Sequence, residues 1–311
     1  MNYKATQEWK EEIVYTDLRA NLRHPRTRSV VEPRFPGAGA PVKVGAAEDP
    51  RGQLAQWLTA PGNPYFARNI VNRIWFWLLG QGIVHQPDDL RPTNPPGNPE
   101  LLLYLESQLT EHQFDLRHIY RLILNSRTYQ LASEPNQWNA RDTTLFSHYT
   151  VKRLGAEQML DAISQFTGTS EKFRSIIPEP YSSWPANFRA TQISDGNTEC
   201  SFLDLFGRPP RDTPYEEERN NDVTLKQALY LLNSEQLEGK ISASPRLQRI
   251  LAKSDGEVLD DIYLSSVSRF PTADEKSRLL EYLGARKAAR AQAVQDVAWA
   301  LVNAKEFEFN H

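Results

Sequence analysis

Apolar residues between positions 49 and 135 recur at the three- and four-residue spacing of amphipathic helices. The clearest face is made of Phe66, Ile70, Ile74 and Leu78. Two asparagine–proline pairs, at residues 63–64 and 98–99, are each an N-cap followed by proline at the first helical position. Asp115 can cap a further helix. The pattern predicts a first helical subdomain over residues 49–135.

Helical spacing lapses between Ser133 and Ser147 and then resumes, which predicts a second helical subdomain over residues 147–311. We expect its helices at residues 156–166, 224–237, 245–251, 256–270, 273–287 and 291–307. Residues 170–222 are instead rich in proline and aromatic side chains, and we expect them to form an irregular insertion.

The first 48 residues have a different pattern. Short β-prone runs at residues 12–15 and 29–31 flank a turn at residues 24–27, which suits a small hairpin. A connection rich in proline and glycine follows. The whole chain is therefore predicted to be mainly α, with two packed helical subdomains, a small N-terminal β-hairpin and long proline-rich loops.

Charge and hydropathy exclude several classes of partner. The chain has 36 basic and 39 acidic residues and a net charge of −3, so no basic excess predicts a nucleic-acid partner. No apolar run approaches the roughly 20 residues that span a bilayer. Residues 1–15 carry glutamates and no apolar core, so they are not a signal peptide.

Cys200 is the only cysteine, which excludes a disulfide, a cysteine-ligated zinc site and covalent haem attachment within this chain. The sequence also lacks the histidine, serine and glycine signatures of zinc proteases, serine hydrolases and nucleotide-binding proteins. We therefore expect no metal site and no cofactor in this chain.

A long loop over residues 81–97 concentrates side chains that can bind a ligand. They are Asp88, Asp89, Arg91 and Asn94, with His85 beside them. Such a loop can hold a cation or polarise a substrate. The favoured interpretation is structural, because Arg73 on the preceding helix can pair with Asp88 or Asp89 and hold the loop in place.

A second charged group follows the irregular insertion. Its candidates are Arg208, Arg211, Glu218 and Arg219, with Asp212, Glu216 and Glu217 among them. These side chains can bind an anion or a hard cation, although an internal ion-pair network is the favoured interpretation. If a ligand binds, we predict one shared site, with Arg91 or Asn94 within reach of Arg208, Arg211 or Glu218.

A third candidate combines aromatic and acidic residues of the insertion. The set comprises Tyr181, Trp184, Phe188, Asp195, Glu199 and Asp204. Aromatic rings with two carboxylates can form a sugar platform with an acid–base pair. Aromatic residues at this spacing more often hold a loop against a core.

Short blocks in order along almost the whole chain match those of a known family. They include Asn63-Pro64-Tyr65-Phe66, Val71-Asn72-Arg73-Ile74-Trp75, Asn98-Pro99-Glu100-Leu101, Asn125-Ser126-Arg127-Thr128-Tyr129 and Phe206-Gly207-Arg208-Pro209-Pro210-Arg211. In these blocks the chain resembles the planctomycete-type domain-of-unknown-function family 1553 (PSD1). That family forms the C-terminal module of exported, cytochrome-c-associated proteins.

The resemblance implies a periplasmic or secreted protein, of which this chain is the C-terminal part. It also implies an upstream domain with haem c. We accordingly expect a module that binds a cytochrome-c-like partner domain or an extracellular ligand. The alternative is a hydrolase-like enzyme acting on extracellular polysaccharide. The family supplies no catalytic residues, and where its pattern has a Cys-x-Cys-Glu-Arg-like stretch this chain has Tyr215-Glu216-Glu217-Glu218-Arg219.

Overall fold

The computed structural model describes residues 22–36, 41–43, 45, 48–175, 183–194, 196–211 and 213–310. Within these residues the chain is mainly helical with two small two-stranded sheets, which confirms the prediction of a mainly α fold. The described residues divide into two compact units, residues 22–150 and residues 151–310. They are called the N-terminal unit and the C-terminal unit below.

The N-terminal unit is built on a small helical core. Its helices are α1 (Pro50–Leu58), α2 (Phe66–Leu79), α3 (Pro99–Glu111) and α4 (Leu116–Leu124). Helix α2 packs on α3 and α4. The fully buried side chains between them include Val71, Ile74, Leu105, Leu109 and Ile119. Burying each such side chain stabilises the unit by roughly 1.5–3 kcal/mol relative to its exposure to water.

The predicted helix starts in this unit are confirmed in two of three places. The side chain of Asn98 accepts a hydrogen bond from the N–H of Leu101 at 3.0 Å, and that of Asp115 accepts from the N–H of Arg117 at 2.9 Å. Asn63 differs, because its Oδ1 accepts from the N–H groups of both Tyr65 and Phe66 at 2.9 Å. The asparagine therefore closes a turn, and α2 begins at Phe66 rather than at the proline after Asn63.

Part of the predicted hairpin lies in the described residues. Arg23 and Val30 form an isolated antiparallel bridge, and the N–H of Val31 donates to the carbonyl of Leu22 at 2.8 Å. Residues 22–23 and 30–31 therefore pair on either side of the turn at residues 24–27. The strand predicted at residues 12–15 lies outside the described residues.

The C-terminal unit contains most of the helices. They are α5 (Ala156–Thr167), α6 (Ser201–Leu205), α7 (Leu225–Asn233), α8 (Glu235–Ser242), α9 (Pro245–Ile250), α10 (Asp255–Ser266), α11 (Ala273–Ala285), α12 (Arg290–Val302) and α13 (Lys305–Glu308). Helix α5 is central: Met159, Leu160 and Ile163 are all buried, and α6, α8, α9 and α10 pack around it.

Two short antiparallel sheets complete the C-terminal unit. Strand β1 (Lys152–Arg153) pairs with β4 (Phe309–Asn310), so the beginning of this unit is hydrogen-bonded to its end. Strand β2 (Arg174–Ser175) pairs with β3 (Thr198–Glu199) inside the predicted irregular insertion. Short 3₁₀ turns lie at Ala190–Gln192, Glu216–Glu218 and Lys287–Ala289.

Two predicted helices are each broken by a small polar residue. The helix expected over residues 224–237 is divided at Ser234, whose N–H bonds to Tyr230 and whose Oγ accepts from the N–H of Leu237 at 3.3 Å. The helix expected over residues 291–307 ends before Asn303, whose side chain donates to the carbonyl of Trp299 at 2.9 Å. Serine and asparagine side chains compete with helical main-chain bonds, and helical spacing alone does not reveal this.

Among the described residues, every helix is too short or too polar to cross a lipid bilayer.

Lys152 of β1 generates a prediction about stability and pH. Burial lowers the pKa of Lys152 to about 8 in the folded chain, against about 10.4 for a solvated lysine. Between these two pH values Lys152 is protonated in the unfolded chain but largely neutral in the folded chain. The free energy of unfolding therefore rises with pH over this range. The destabilisation caused by burying Lys152 is largest below pH 8, where the folded chain must hold the charged form. We expect Lys152→Met to raise the free energy of unfolding at pH 7, measured by urea denaturation.

The stabilisation should shrink towards pH 10, where wild-type Lys152 folds in its neutral form. Lys226→Met, at an exposed position of α7, is the control and should show no such dependence. An equal effect of Lys152→Met at pH 7 and pH 10 would contradict the assignment.

Candidate functional site

The loop at residues 81–97 is held to α2 by one buried amide. The side chain of Asn72 is fully buried; its Nδ2 donates to the carbonyls of Val84 and Pro87 at 3.1 and 3.2 Å, and its Oδ1 accepts from the N–H of Val84 at 2.9 Å. A Cβ atom on Gly82 would lie 2.3 Å from the carbonyl oxygen of Val84. Only glycine therefore allows the tight turn over residues 82–84 that presents Val84 to Asn72.

The candidate side chains of this loop lie together, and each has an internal partner. Asp88 forms the predicted ion pair with Arg73, whose Nε lies 2.6 Å from Oδ1. Asp89 pairs with Arg91 at 2.7 Å. Asn94 donates to the main-chain carbonyls of His85 and Asp89 at 2.8 and 2.9 Å. These contacts favour the structural interpretation of the loop.

In the C-terminal unit, Arg153 organises the segment over residues 206–222. Arg153 is only 8% exposed. Its guanidinium donates to the carbonyls of Phe206 at 3.0 Å, Asp222 at 3.2 Å and Asn220 at 3.5 Å, and to the side-chain oxygen of Gln227. Burial lowers the pKa of Arg153, and the charges of Glu308 and Asp222 oppose this shift.

A glycine and a capping residue complete the site around Arg153. Gly207 has φ +88°, and a Cβ atom there would lie 1.8 Å from the carbonyl oxygen of Asn220, so only glycine fits. The side chain of Gln227 accepts from the N–H of Thr224 at 2.9 Å and donates to the carbonyl of Leu205 at 2.9 Å. Arg153 thus connects β1, the end of α6 and the start of α7.

The charged candidates of the same segment form a network around an acid on α5. Glu157 accepts from Arg219 at 2.7 and 3.2 Å, and Arg211 lies 4.0 Å from it. Burial raises the pKa of Glu157, but hydrogen bonds and charge from Arg219 outweigh this and lower it overall. Arg208 pairs with Asp204 at 2.7 Å. Glu218 accepts from the N–H of Thr213 at 2.6 Å, while its buried second oxygen has no hydrogen-bond partner in the part of the chain that the structure describes.

The two predicted groups fall in different units. Asp88, Asp89, Arg91 and Asn94 belong to the N-terminal unit, whereas Arg208, Arg211, Glu218 and Arg219 belong to the C-terminal unit. A shared ligand site formed by both groups therefore stays a prediction.

A small polar cavity of about 190 Å³ lies beside α5 in the C-terminal unit. We call it the Asp161 cavity; its lining residues are Asp161, Ser164, Gln165, Thr169, Ser170, Glu171, Phe173, Asn187, Phe188 and Arg189. A volume of this size corresponds to about six water molecules at ~30 Å³ each. It is therefore large enough for a single small polar molecule.

The two carboxylates of the Asp161 cavity have fixed donors. Asp161 accepts from the N–H groups of Ala190 and Thr191 at 2.7 and 3.1 Å and from the Thr191 hydroxyl at 2.7 Å. Glu171 pairs with Lys240 at 2.9 Å and accepts from Gln236 at 3.0 Å. Both carboxylates are thereby held in one orientation.

Aromatic residues of the third candidate lie at the edge of this cavity. Trp184 and Phe188 stack at 4.8 Å and pack against the hydrophobic core, and the indole of Trp184 donates to Thr198 at 2.9 Å. Phe188 also lines the cavity. Of the proposed acids, Glu199 lies in β3 and Asp204 pairs with Arg208. Tyr181 and Asp195 lie outside the described residues.

Sequence patterns did not reveal Arg153, Glu157, Asp161 or Glu171. Each is a single charged residue within or beside a helix or strand, and the partners cited above lie 29 or more residues away in the sequence. No spacing rule links such residues. A weak signal was present, because Glu157 and Asp161 fall four residues apart on the same face of the predicted helix at 156–166.

Metal binding and thiol chemistry gain no support from the described residues. Within them, no three His, Cys, Asp or Glu side chains gather closely enough to hold a metal ion. Burial raises the pKa of the Cys200 thiol, which disfavours the reactive thiolate.

Comparison with known proteins gives one family. The model of PSD1, described as a protein of unknown function (DUF1553), matches residues 50–283, which include most of both units. Neither the curated proteins nor the solved structures contain a match to the chain.

The Arg73–Asp88 pair leads to a prediction with an internal control. The two side chains are only 20% and 11% exposed. Removing the arginine would leave a poorly hydrated carboxylate, so we expect Arg73→Ala to lower the free energy of unfolding by roughly 2–3 kcal/mol. Arg91→Ala removes an exposed arginine of the same loop, whose ion pair with Asp89 is screened by water, so it should lower stability far less than Arg73→Ala. Equal losses in denaturant titrations would contradict the role given to Arg73.

Arg153 gives a second prediction. Lysine keeps the positive charge but lacks the planar guanidinium group with its several N–H donors. Arg153→Lys should therefore leave several of the four oxygen atoms without a donor and lower the free energy of unfolding by roughly 2–4 kcal/mol. Arg278→Lys, at an exposed position of α11, is the matched control. Hydrogen-exchange measurements should show faster amide exchange at residues 206–222 in Arg153→Lys but not in Arg278→Lys. Unchanged exchange there would show that the segment does not depend on Arg153.

Proposed function

Because the chain belongs to the PSD1 family of proteins of unknown function, we propose its role from the arrangement of its own residues. It is a non-catalytic binding module of an exported, multidomain protein, and it binds one sugar residue of an extracellular polysaccharide in the Asp161 cavity. Export, and an upstream cytochrome-c-like domain as neighbour, rest on the sequence resemblance alone.

The observation that carries this proposal is the mixture of hydrogen-bond donors and acceptors that line the Asp161 cavity. Asp161 and Glu171 can accept hydrogen bonds, while Asn187 and Arg189 can donate them. Sugar hydroxyl groups both donate and accept, so they suit a lining of both kinds. The partly exposed ring of Phe188 provides an apolar surface for the C–H face of the sugar.

Binding is favoured over hydrolysis by the way the carboxylates are held. A glycosidase needs one carboxyl group to deliver a proton and a second to act as base or nucleophile. Asp161 already accepts three hydrogen bonds, from two main-chain N–H groups and the Thr191 hydroxyl. Oε1 of Glu171 is held by Lys240 and Gln236, but each carboxylate keeps lone pairs that can accept from a ligand. These contacts suit fixed acceptors better than groups that exchange protons during a reaction.

We expect saturation-transfer NMR and calorimetry to detect at least one neutral monosaccharide or short oligosaccharide bound by the purified chain. Arg189→Gln, at the exposed edge of the cavity, should weaken that binding about tenfold by removing a charged donor. Arg174→Gln, on an exposed arginine of β2 outside the cavity lining, should bind as the wild type does.

Two results would overturn the proposal. One is the absence of any saccharide binding at millimolar concentration across a panel of hexoses, hexosamines and uronic acids. The other is cleavage of an oligosaccharide that is lost in Asp161→Asn or Glu171→Gln, since this would establish the hydrolase alternative.

A further inference from the structure

A second cavity, of about 600 Å³, lies in the N-terminal unit, where α3 and α4 meet α2. We call it the Trp75 groove. Its most deeply buried lining residues are Trp75, Leu105 and Ile123, each 3% exposed or less. Leu101 and Leu122 are partly buried beside them. A volume in this range is typical of small-molecule sites, which are mostly apolar with a few polar groups.

The polar groups at this groove carry positive or no charge. No aspartate or glutamate lines it, whereas Arg121 and His118 do, together with Asn98 and Tyr104. The groove therefore has an apolar interior and a cationic edge.

Arg121 has no internal role in the described part of the chain. Its guanidinium is exposed and forms no hydrogen bond or ion pair with a described residue. Arg117 lies four residues earlier on the same helix, also exposed and without such a partner. Like charges at this spacing destabilise a helix by roughly 0.2–0.5 kcal/mol. Arg121 lies in the last turn of α4, where the helix dipole favours a positive charge and offsets this repulsion, so its guanidinium is available to a ligand at little cost to the fold.

We propose that the Trp75 groove binds a small amphipathic monocarboxylate. Its hydrocarbon or aromatic body lies against Leu101, Leu105 and Leu122, and its carboxylate pairs with Arg121. A guanidinium matches a carboxylate in a two-point contact, which fixes the orientation of the ligand as well as its charge. This ligand differs in chemistry from the sugar proposed for the Asp161 cavity, so either proposal can fail without the other.

The proposal is tested with 4-phenylbutyrate and dodecanoate as probes, each compared with its uncharged alcohol. Calorimetry should show that both acids bind and that each alcohol binds at least about tenfold more weakly, because a charged hydrogen bond is lost. In ¹H–¹⁵N spectra the indole N–H resonance of Trp75, assigned with Trp75→Phe, should shift on addition of the acids. This N–H is buried and has no hydrogen-bond partner among the described residues, so it reports on the interior of the groove.

Two variants separate charge from shape. Arg121→Gln should weaken the binding of the acids about tenfold and leave the binding of the alcohols unchanged. Leu101→Trp should fill the groove and weaken the binding of both. Arg117→Gln is the control, since it removes the same charge from the same helix outside the lining. All three variants should melt within a few degrees of the wild type, because residues 117 and 121 are exposed and residue 101 is only partly buried.

The proposal fails if neither acid binds at millimolar concentration, or if acids and alcohols bind equally. It also fails if Arg117→Gln weakens binding as much as Arg121→Gln, because the attraction would then be a general surface charge. A peptide with leucine beside aspartate that displaces the probes and binds more tightly than either would show that the occupant is a protein segment instead.

Discussion

A segment without regular secondary structure can pack against a core only if its buried main-chain N–H and C=O groups find partners. The neighbouring helices cannot supply them, because their own main-chain groups are already bonded to one another. In each unit one buried polar side chain satisfies several of these groups at once. Asn72 bonds the main chain of residues 81–97, and Arg153 bonds that of residues 206–222. Since an unpaired buried group costs about 1–3 kcal/mol, each segment depends strongly on that residue.

The same packing determines what the charged residues can do. Arg73, Arg208 and Arg219 are each paired with a nearby carboxylate of their own unit. A group held this way keeps its charge and its position, but it offers few free sites to a ligand. The side chains that remain available are those at cavity edges, such as Arg121 and Arg189. Recognition in this chain is therefore expected from the edges of its cavities rather than from its densest clusters of charge.

Much of the helical structure follows from local sequence, whereas the tertiary contacts do not. Capping residues such as Asn98 act within a few residues of their partners, so sequence reveals them. The break at Ser234 is also local, yet a serine between two apolar faces fits one long helix equally well. Glu157 and Arg219 are 62 residues apart, and nothing in either neighbourhood selects one partner among many. The pair between Arg73 and Asp88 was predictable because a single loop connects them.

The Asp161 cavity and the Trp75 groove differ most in the class of ligand that each disfavours. An apolar carboxylate in the Asp161 cavity would meet the like charges of Asp161 and Glu171, and its body would face polar groups that need partners. A sugar in the Trp75 groove would place its hydroxyls against Leu101 and Leu105. Each unpaired hydroxyl there would cost about 1–3 kcal/mol. The presence or absence of carboxylates in each lining would therefore separate the two proposed ligands.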